Sequence, residues 1–217
     1  MKRTFLSRSR ALAARQAGFT LIEMLAVMLI LGILVGALLV TLSGSSDSAK
    51  RRITQAKLAQ ISAVVDAYER RFGDFPPSSF SSEQGGMPNK VNVGVEALVV
   101  ALWSDGYEGG GDLSADELIN TDGDQTLREL SDLPNRQLFE LVDSWDNPII
   151  YFRSDDYGES HQYLLWSEQD DFEAEVEVAA LQNERVGRFY GHARYQLMSA
   201  GPDGTFGTED DVTSFER

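Results

Sequence analysis

The uncharged run from Met24 to Leu42 constrains this chain more than any other feature. Built from Leu, Ile, Val, Met and Ala, it rises about 1.5 Å per residue as a helix. It therefore covers most of a ~30 Å hydrocarbon core, and the flanking turns complete a span over 19–43. A leader holding Lys2, Arg3, Arg8, Arg10 and Arg15 precedes it and ends at Gly18; the apolar stretch starts at Phe19. One carboxylate, Glu23, interrupts it. An acid inside a membrane segment costs roughly 2.5–3.5 kcal/mol on insertion scales, so it needs a partner or a purpose. The leader's charges favour a cytoplasmic amino end and outnumber Lys50, Arg51 and Arg52, which Asp47 partly offsets. A secretory signal peptide fits less well. Its apolar region is shorter, an early acid is foreign to it, and Ser43-Gly44-Ser45 makes a poor cleavage site. Gly32 and Gly36 have the spacing that lets helices approach closely in lipid, although glycine is also simply tolerated there.

Charge and cysteine content narrow the function classes. The formal charge of -15 becomes -20 once the five basic leader residues are set aside, a surface that repels nucleic acid. With no cysteine, neither a disulfide framework nor a thiolate metal site is possible. The two histidines, His161 and His192, stand outside any nucleophile motif and read as ordinary strand or surface residues. No catalytic residue is expected.

Beyond Ser43-Gly44-Ser45, the residues Ile53, Leu58, Ile61, Val65, Tyr68 and Phe72 recur at mostly three- and four-residue spacing. Polar Lys57, Gln60, Asp66 and Arg70 oppose them, so 44–73 reads as the amphipathic second half of one long helix. Gly73 and Pro76-Pro77 end it. From Phe19 to Phe72 such a rod measures about 80 Å. Residues 74–217 then form a head. Val95–Trp103 is predicted to be a short helix packed on the rod. Ile149–Arg153, His161–Ser167 and Ala193–Ser199 are predicted strands of a small antiparallel sheet. Glu173, Glu175 and Glu177 alternate with Ala174, Val176 and Val178, the pattern of an extra strand with one wet face.

The order Gly18-Phe19-Thr20-Leu21-Ile22-Glu23 resembles the processing site of type IV prepilins and type II secretion pseudopilins. That resemblance implies cleavage by prepilin peptidase between Gly18 and Phe19, methylation of Phe19, and a role for Glu23 in assembly. Physics agrees with the last point. A freed α-amine has a reference pKa of roughly 7.7–8.0, so it is largely charged at neutral pH and can pair with a neighbouring subunit's Glu23. Tyr68 with Gly73-Asp74-Phe75-Pro76, then Gly94-Val95-Glu96-Ala97-Leu98, then Asp143-Ser144-Trp145-Asp146-Asn147-Pro148, resemble segments of the major pseudopilin. Trp145 is then a core anchor, and Asp146 occupies the usual glycine position of the turn. Stretches 78–92, 105–140 and 168–190 hold insertions relative to that pattern.

Two acidic segments compete as metal loops. Asn120-Thr121-Asp122-Gly123-Asp124 fails the EF-hand pattern, with Gln125 where glycine belongs and Ser131 where glutamate belongs, and reads as a solvated loop. Ser199–Val212 is different: three glycines and a proline fold the backbone between Asp203 and the Asp210-Asp211 pair. It resembles the carboxy-terminal calcium loop of the major pseudopilin. Carried over, Asp203, Asp210 and Asp211 supply side-chain oxygens, and Ala200 with a carbonyl near Thr205–Thr208 supplies main-chain ones.

The expected architecture is α+β and pilin-like: leader 1–18, transmembrane helix 19–43, amphipathic helix 44–73, and head 74–217 closed by a calcium loop. By resemblance the chain is a structural subunit of a type II secretion pseudopilus, not an enzyme. It self-assembles into a helical filament with minor pseudopilins and the inner-membrane assembly platform. It crosses the inner membrane once, amino end cytoplasmic and head periplasmic. The alternatives are a type IV pilin for adhesion or motility, or a divergent pseudopilin-like binding module.

Overall fold

The computed structural model describes residues 19–81, 89–167 and 172–216, with the backbone alone for 37–45. The expected leader 1–18, Gly18 included, lies outside the described residues, as do 82–88 of the stretch 78–92 and 168–171 of the stretch 168–190. The chain divides into two compact units, Met1–Ser45 and Ser46–Arg217. The elements run α1 (Leu21–Phe72), α2 (Val93–Leu102), β1 (Leu118–Ile119), β2 (Glu140–Leu141), β3 (Ile150–Arg153), β4 (Ser160–Ser167), β5 (Phe172–Ala179), β6 (Gln182–Asn183), β7 (Arg188–Phe189), β8 (Tyr195–Ser199) and β9 (Val212–Thr213).

In the first unit, Thr20 and Glu23 start α1 with a reciprocal cap. The Glu23 Oε2 accepts from the Thr20 amide and hydroxyl at 3.0 Å each, and the Thr20 hydroxyl accepts from the Glu23 amide at 3.3 Å. Threonine followed three residues later by glutamate is the capping-box spacing. The large apolar side chains from Phe19 to Val35 are exposed, Leu21 by 83 %. Among the described residues no helix is long and apolar enough to cross a membrane. Residues 37–43 of the expected span fall where side chains are not described.

In the second unit α1 turns Leu58, Ile61, Val64 and Val65 into the core. The stripe keeps the expected Leu58, Ile61 and Val65 and departs from the expectation at its start. Ile53 is 61 % exposed while Thr54 is fully buried, because 54, 58, 61 and 65 share one face at three- and four-residue steps. The Thr54 hydroxyl is satisfied there, accepting from the Ser144 amide at 3.2 Å. The helix ends as expected: Gly73 takes φ +85°, and its amide donates to the Glu69 carbonyl at 2.8 Å.

The α2 helix is buried almost all round, as its apolar run dictates, and its Val95, Leu98, Val99 and Leu102 join the α1 face in one core. β3, β8 and β9 form an antiparallel sheet in that order. Tyr151, Phe152, Leu197 and Met198 are fully buried in it. Hydrogen bonds stitch this sheet to α1. The Tyr195 hydroxyl donates to the Asp66 carboxylate at 2.8 Å, and the Gln55 amide donates to the Thr213 carbonyl at 3.2 Å.

β4 was expected in this sheet and is not. It pairs antiparallel with β5 along eight residues, giving the extra strand that the Glu/Val alternation predicts. Two asparagines occupy β4's other edge. Asn92 donates its amide to the Gln162 carbonyl at 2.8 Å and accepts from the Leu164 amide at 3.0 Å. Asn147 accepts from the Trp166 amide at 2.6 Å and donates to its carbonyl at 3.0 Å. With these contacts made, β4 needs no β-ladder with β3. Trp145 is buried as an anchor, and Asp146 adopts φ +64°, the backbone a glycine would supply.

Candidate functional site

Of the amino-terminal positions, Gly18 lies outside the described residues, Phe19 is exposed, and Glu23 closes the cap on Thr20. The Thr-x-x-Glu spacing is the sequence signal of this cap. The cap means that Glu23 has a partner within its own chain.

The carboxy-terminal loop leaves β8 at Ser199 and returns at β9. Ala200 is fully buried. Gly201, at φ +69°, lies so close to the returning strand that a Cβ there would stand 2.6 Å from the Asp210 carbonyl oxygen. Gly204 abuts the Trp166 carbonyl in the same way. The Asp203 Oδ1 accepts from the Thr205 amide at 2.7 Å, and the Asp211 Oδ2 from the Gly207 amide at 3.0 Å. The Asp210 Oδ1 accepts from the Thr208 hydroxyl. Arg51 of α1 caps the loop from outside, its Nη2 donating to the Asp210 carbonyl at 2.5 Å. Beneath the loop, the Ser199 hydroxyl donates to Asp143 at 2.5 Å. Burial pushes the Asp143 carboxyl up to about 6, against the pull of Ser199 and the Trp145 and Asn147 amides.

The donor set of this loop, three carboxylates and backbone carbonyls, suits a hard cation. Geometrically, Asp203, Asp210 and Asp211 are ordered by hydrogen bonds inside the loop. They are not the carboxylates that share one metal-sized space. Among the described residues that group is Glu96, Asp122 and Glu140, whose ligand atoms all lie within 4.8 Å of one another.

Three segments distant in sequence build the group. Glu96 comes from the first turn of α2, Asp122 from the turn after β1, and Glu140 from β2, whose pairing with β1 places residue 140 opposite Ile119. The turn 120–124 is not the solvated loop expected from sequence: Asp124 is only 9 % exposed. Burial raises all three buried acids, Glu96 to about 10, Glu140 to about 8 and Asp124 to about 7, and the neighbouring carboxylates add to each rise. One sequence signal pointed here. Glu96 is the single charged residue in the otherwise apolar α2, the same kind of anomaly as Glu23.

His161 is buried on β4, stacked 4.5 Å from the Phe152 ring, and His192 is exposed.

Residues 13–39 match the model of the prokaryotic N-terminal methylation motif, bracketing Gly18, Phe19 and Glu23. The type II secretion system core protein G of Escherichia coli (strain K12) is 23% identical over 201 residues, covering 93% of this chain and 92% of that protein. The chain resembles a type II secretion pseudopilin. Both the methylation motif and the head share in that likeness, since the alignment leaves few residues uncovered. No solved structure matches the chain at a significant level.

Proposed function

We propose that this chain is a structural subunit of a type II secretion pseudopilus, cut by prepilin peptidase between Gly18 and Phe19 and methylated on Phe19. The observation that carries the reading is the coincidence of a methylation motif over 13–39 with pseudopilin similarity over 93% of the chain. Segment 19–43 anchors the subunit in the inner membrane, with the head on the periplasmic side. The exposed apolar side chains from Phe19 to Val35 are the surface a bilayer or the filament interior covers. Export follows from polymerisation onto the assembly platform with minor pseudopilins, not from turnover of a substrate.

Glu23 has two duties to separate: capping its own helix and receiving a neighbour's α-amine. Glutamine serves a capping box as well as glutamate does, but carries no charge. Glu23→Gln therefore keeps the cap and loses the ion pair, whereas Glu23→Ala loses both. Both variants are expected to be cleaved yet to form no filaments. Filaments from Glu23→Gln at the normal yield would refute the charge-pairing role. Amino-terminal mass spectrometry of membrane-derived protein tests the cleavage site.

We further propose that calcium closes the carboxy-terminal loop through Asp203, Asp210, Asp211 and the Ala200 carbonyl, in place of a disulfide. A ligand bound to the folded state stabilises by about 2.7 kcal/mol at a hundredfold excess over Kd. Chelation is expected to lower the melting temperature of the full chain, and Asp211→Asn to shrink that shift. A chelator response identical in Asp211→Asn would remove calcium from this loop.

A further inference from the structure

We propose a second divalent-cation site, of the calcium class, formed by Glu96, Asp122 and Glu140 with Asp124 beside them. It ties the first turn of α2 to the β1–β2 pair. The site shares no residue with the carboxy-terminal loop, and neither proposal depends on the other.

Glu96 is 1 % exposed, and its Oε1 has no hydrogen-bond partner. Its ligand atom is nonetheless aimed into a space shared with Asp122 and Glu140. The Asp124 Oδ1, also buried, is a second oxygen without a partner. A carboxylate taken out of water without compensation is costly, and its neighbours here carry the same charge. Among the described residues no salt bridge involves any of the four acids.

The donors that do reach the group are neutral and hold it in place. Glu140 accepts from the Asn92 side-chain amide at 3.2 Å and from the Thr121 backbone amide at 2.8 Å. Asp122 accepts from Asn89 at 2.8 Å and from the Asp124 backbone amide at 3.3 Å. Each carboxylate oxygen keeps a free lone pair after such a bond. The acids are thus oriented by neutral donors.

The spacing and chemistry select the ion. Ligand oxygens within 4.8 Å of one another fit around a centre at calcium–oxygen distances of roughly 2.3–2.6 Å. Every donor is a hard oxygen, and the cluster contains no imidazole or thiolate, which softer metals favour.

The test is a stoichiometry. The full chain, purified in non-ionic detergent and stripped by chelation, is titrated with calcium against a chromophoric chelator. Glu96→Gln, nearly isosteric and uncharged, is expected to bind one ion fewer than the parent chain, and Asp211→Asn likewise if the loop site exists. The double variant should then bind none. Should Glu96→Gln fail to fold, Asp122→Asn on the half-buried turn takes its place and is expected to lose the same ion. A parent chain whose calcium is lost with Asp211→Asn alone overturns this site and leaves the loop site standing. One whose calcium is lost with Glu96→Gln or Asp122→Asn alone supports this site and removes the other. No calcium bound at all overturns both.

Discussion

Replacing Gly201 by alanine tests whether the carboxy-terminal loop folds back on itself as described. The new methyl would sit 2.6 Å from the Asp210 carbonyl oxygen and 3.0 Å from its carbon, so backbone has to move. The residue also holds φ +69°. Left-handed backbone costs a residue with a Cβ roughly 1–2 kcal/mol, from which the stiffer unfolded chain returns roughly 0.4–1 kcal/mol. Forcing atoms into a filled space adds roughly 1–3 kcal/mol. The expected total for Gly201→Ala is about 2–4 kcal/mol. Gly207 is the internal control: it too has positive φ, at +92°, but a Cβ there meets nothing within 4 Å. Gly207→Ala should therefore cost only the backbone part, about 0.5–1.5 kcal/mol. Urea unfolding of the full chain in detergent, followed by fluorescence of the buried Trp103 and Trp145, reads both variants. Equal losses, to within about 0.5 kcal/mol, would refute the close approach of Gly201 to Asp210.

Two further outcomes follow from the turn before β3. Asp143 titrates near 6 when folded against a reference of 3.8, so between those values the native state binds more protons than the unfolded one. Its contribution to stability therefore falls as pH rises through that window and is flat above it. The difference between parent chain and Asp143→Asn, measured from pH 4 to pH 7, should move in that direction, and a pH-independent difference would contradict it. Asp146→Gly relieves left-handed strain at an exposed position and removes a charge that opposes Asp143. A gain of about 0.5–1 kcal/mol in a denaturant melt is expected, and a loss would count against the strain.

Much of the second unit was legible because its signals are local. The end of α1 is written in Gly73, the anchor in Trp145, and β5 in the alternation of glutamate with Ala174, Val176 and Val178. What escaped depends on contacts far apart in sequence. Nothing near residue 53 reveals that Thr54 has a donor waiting in Ser144. Nothing in β4 says that Asn92 and Asn147 take the edge a third strand would have used. The acid cluster is the sharpest case. Asp122 and Asp124 looked like a wet loop, since only the β1–β2 pairing carries Glu140 to them and only α2 brings Glu96.

The β4–β5 ribbon has a consequence for solubility among identical molecules. Among the described residues β5 bonds only to β4, so its outer rim offers free amides and carbonyls to any extended strand that drifts alongside. Glu173, Glu175 and Glu177 stand exposed on one face of β5, beside that rim. Two such ribbons meeting rim to rim would bring six like charges together, and this self-avoidance keeps crowded copies from zippering into sheets.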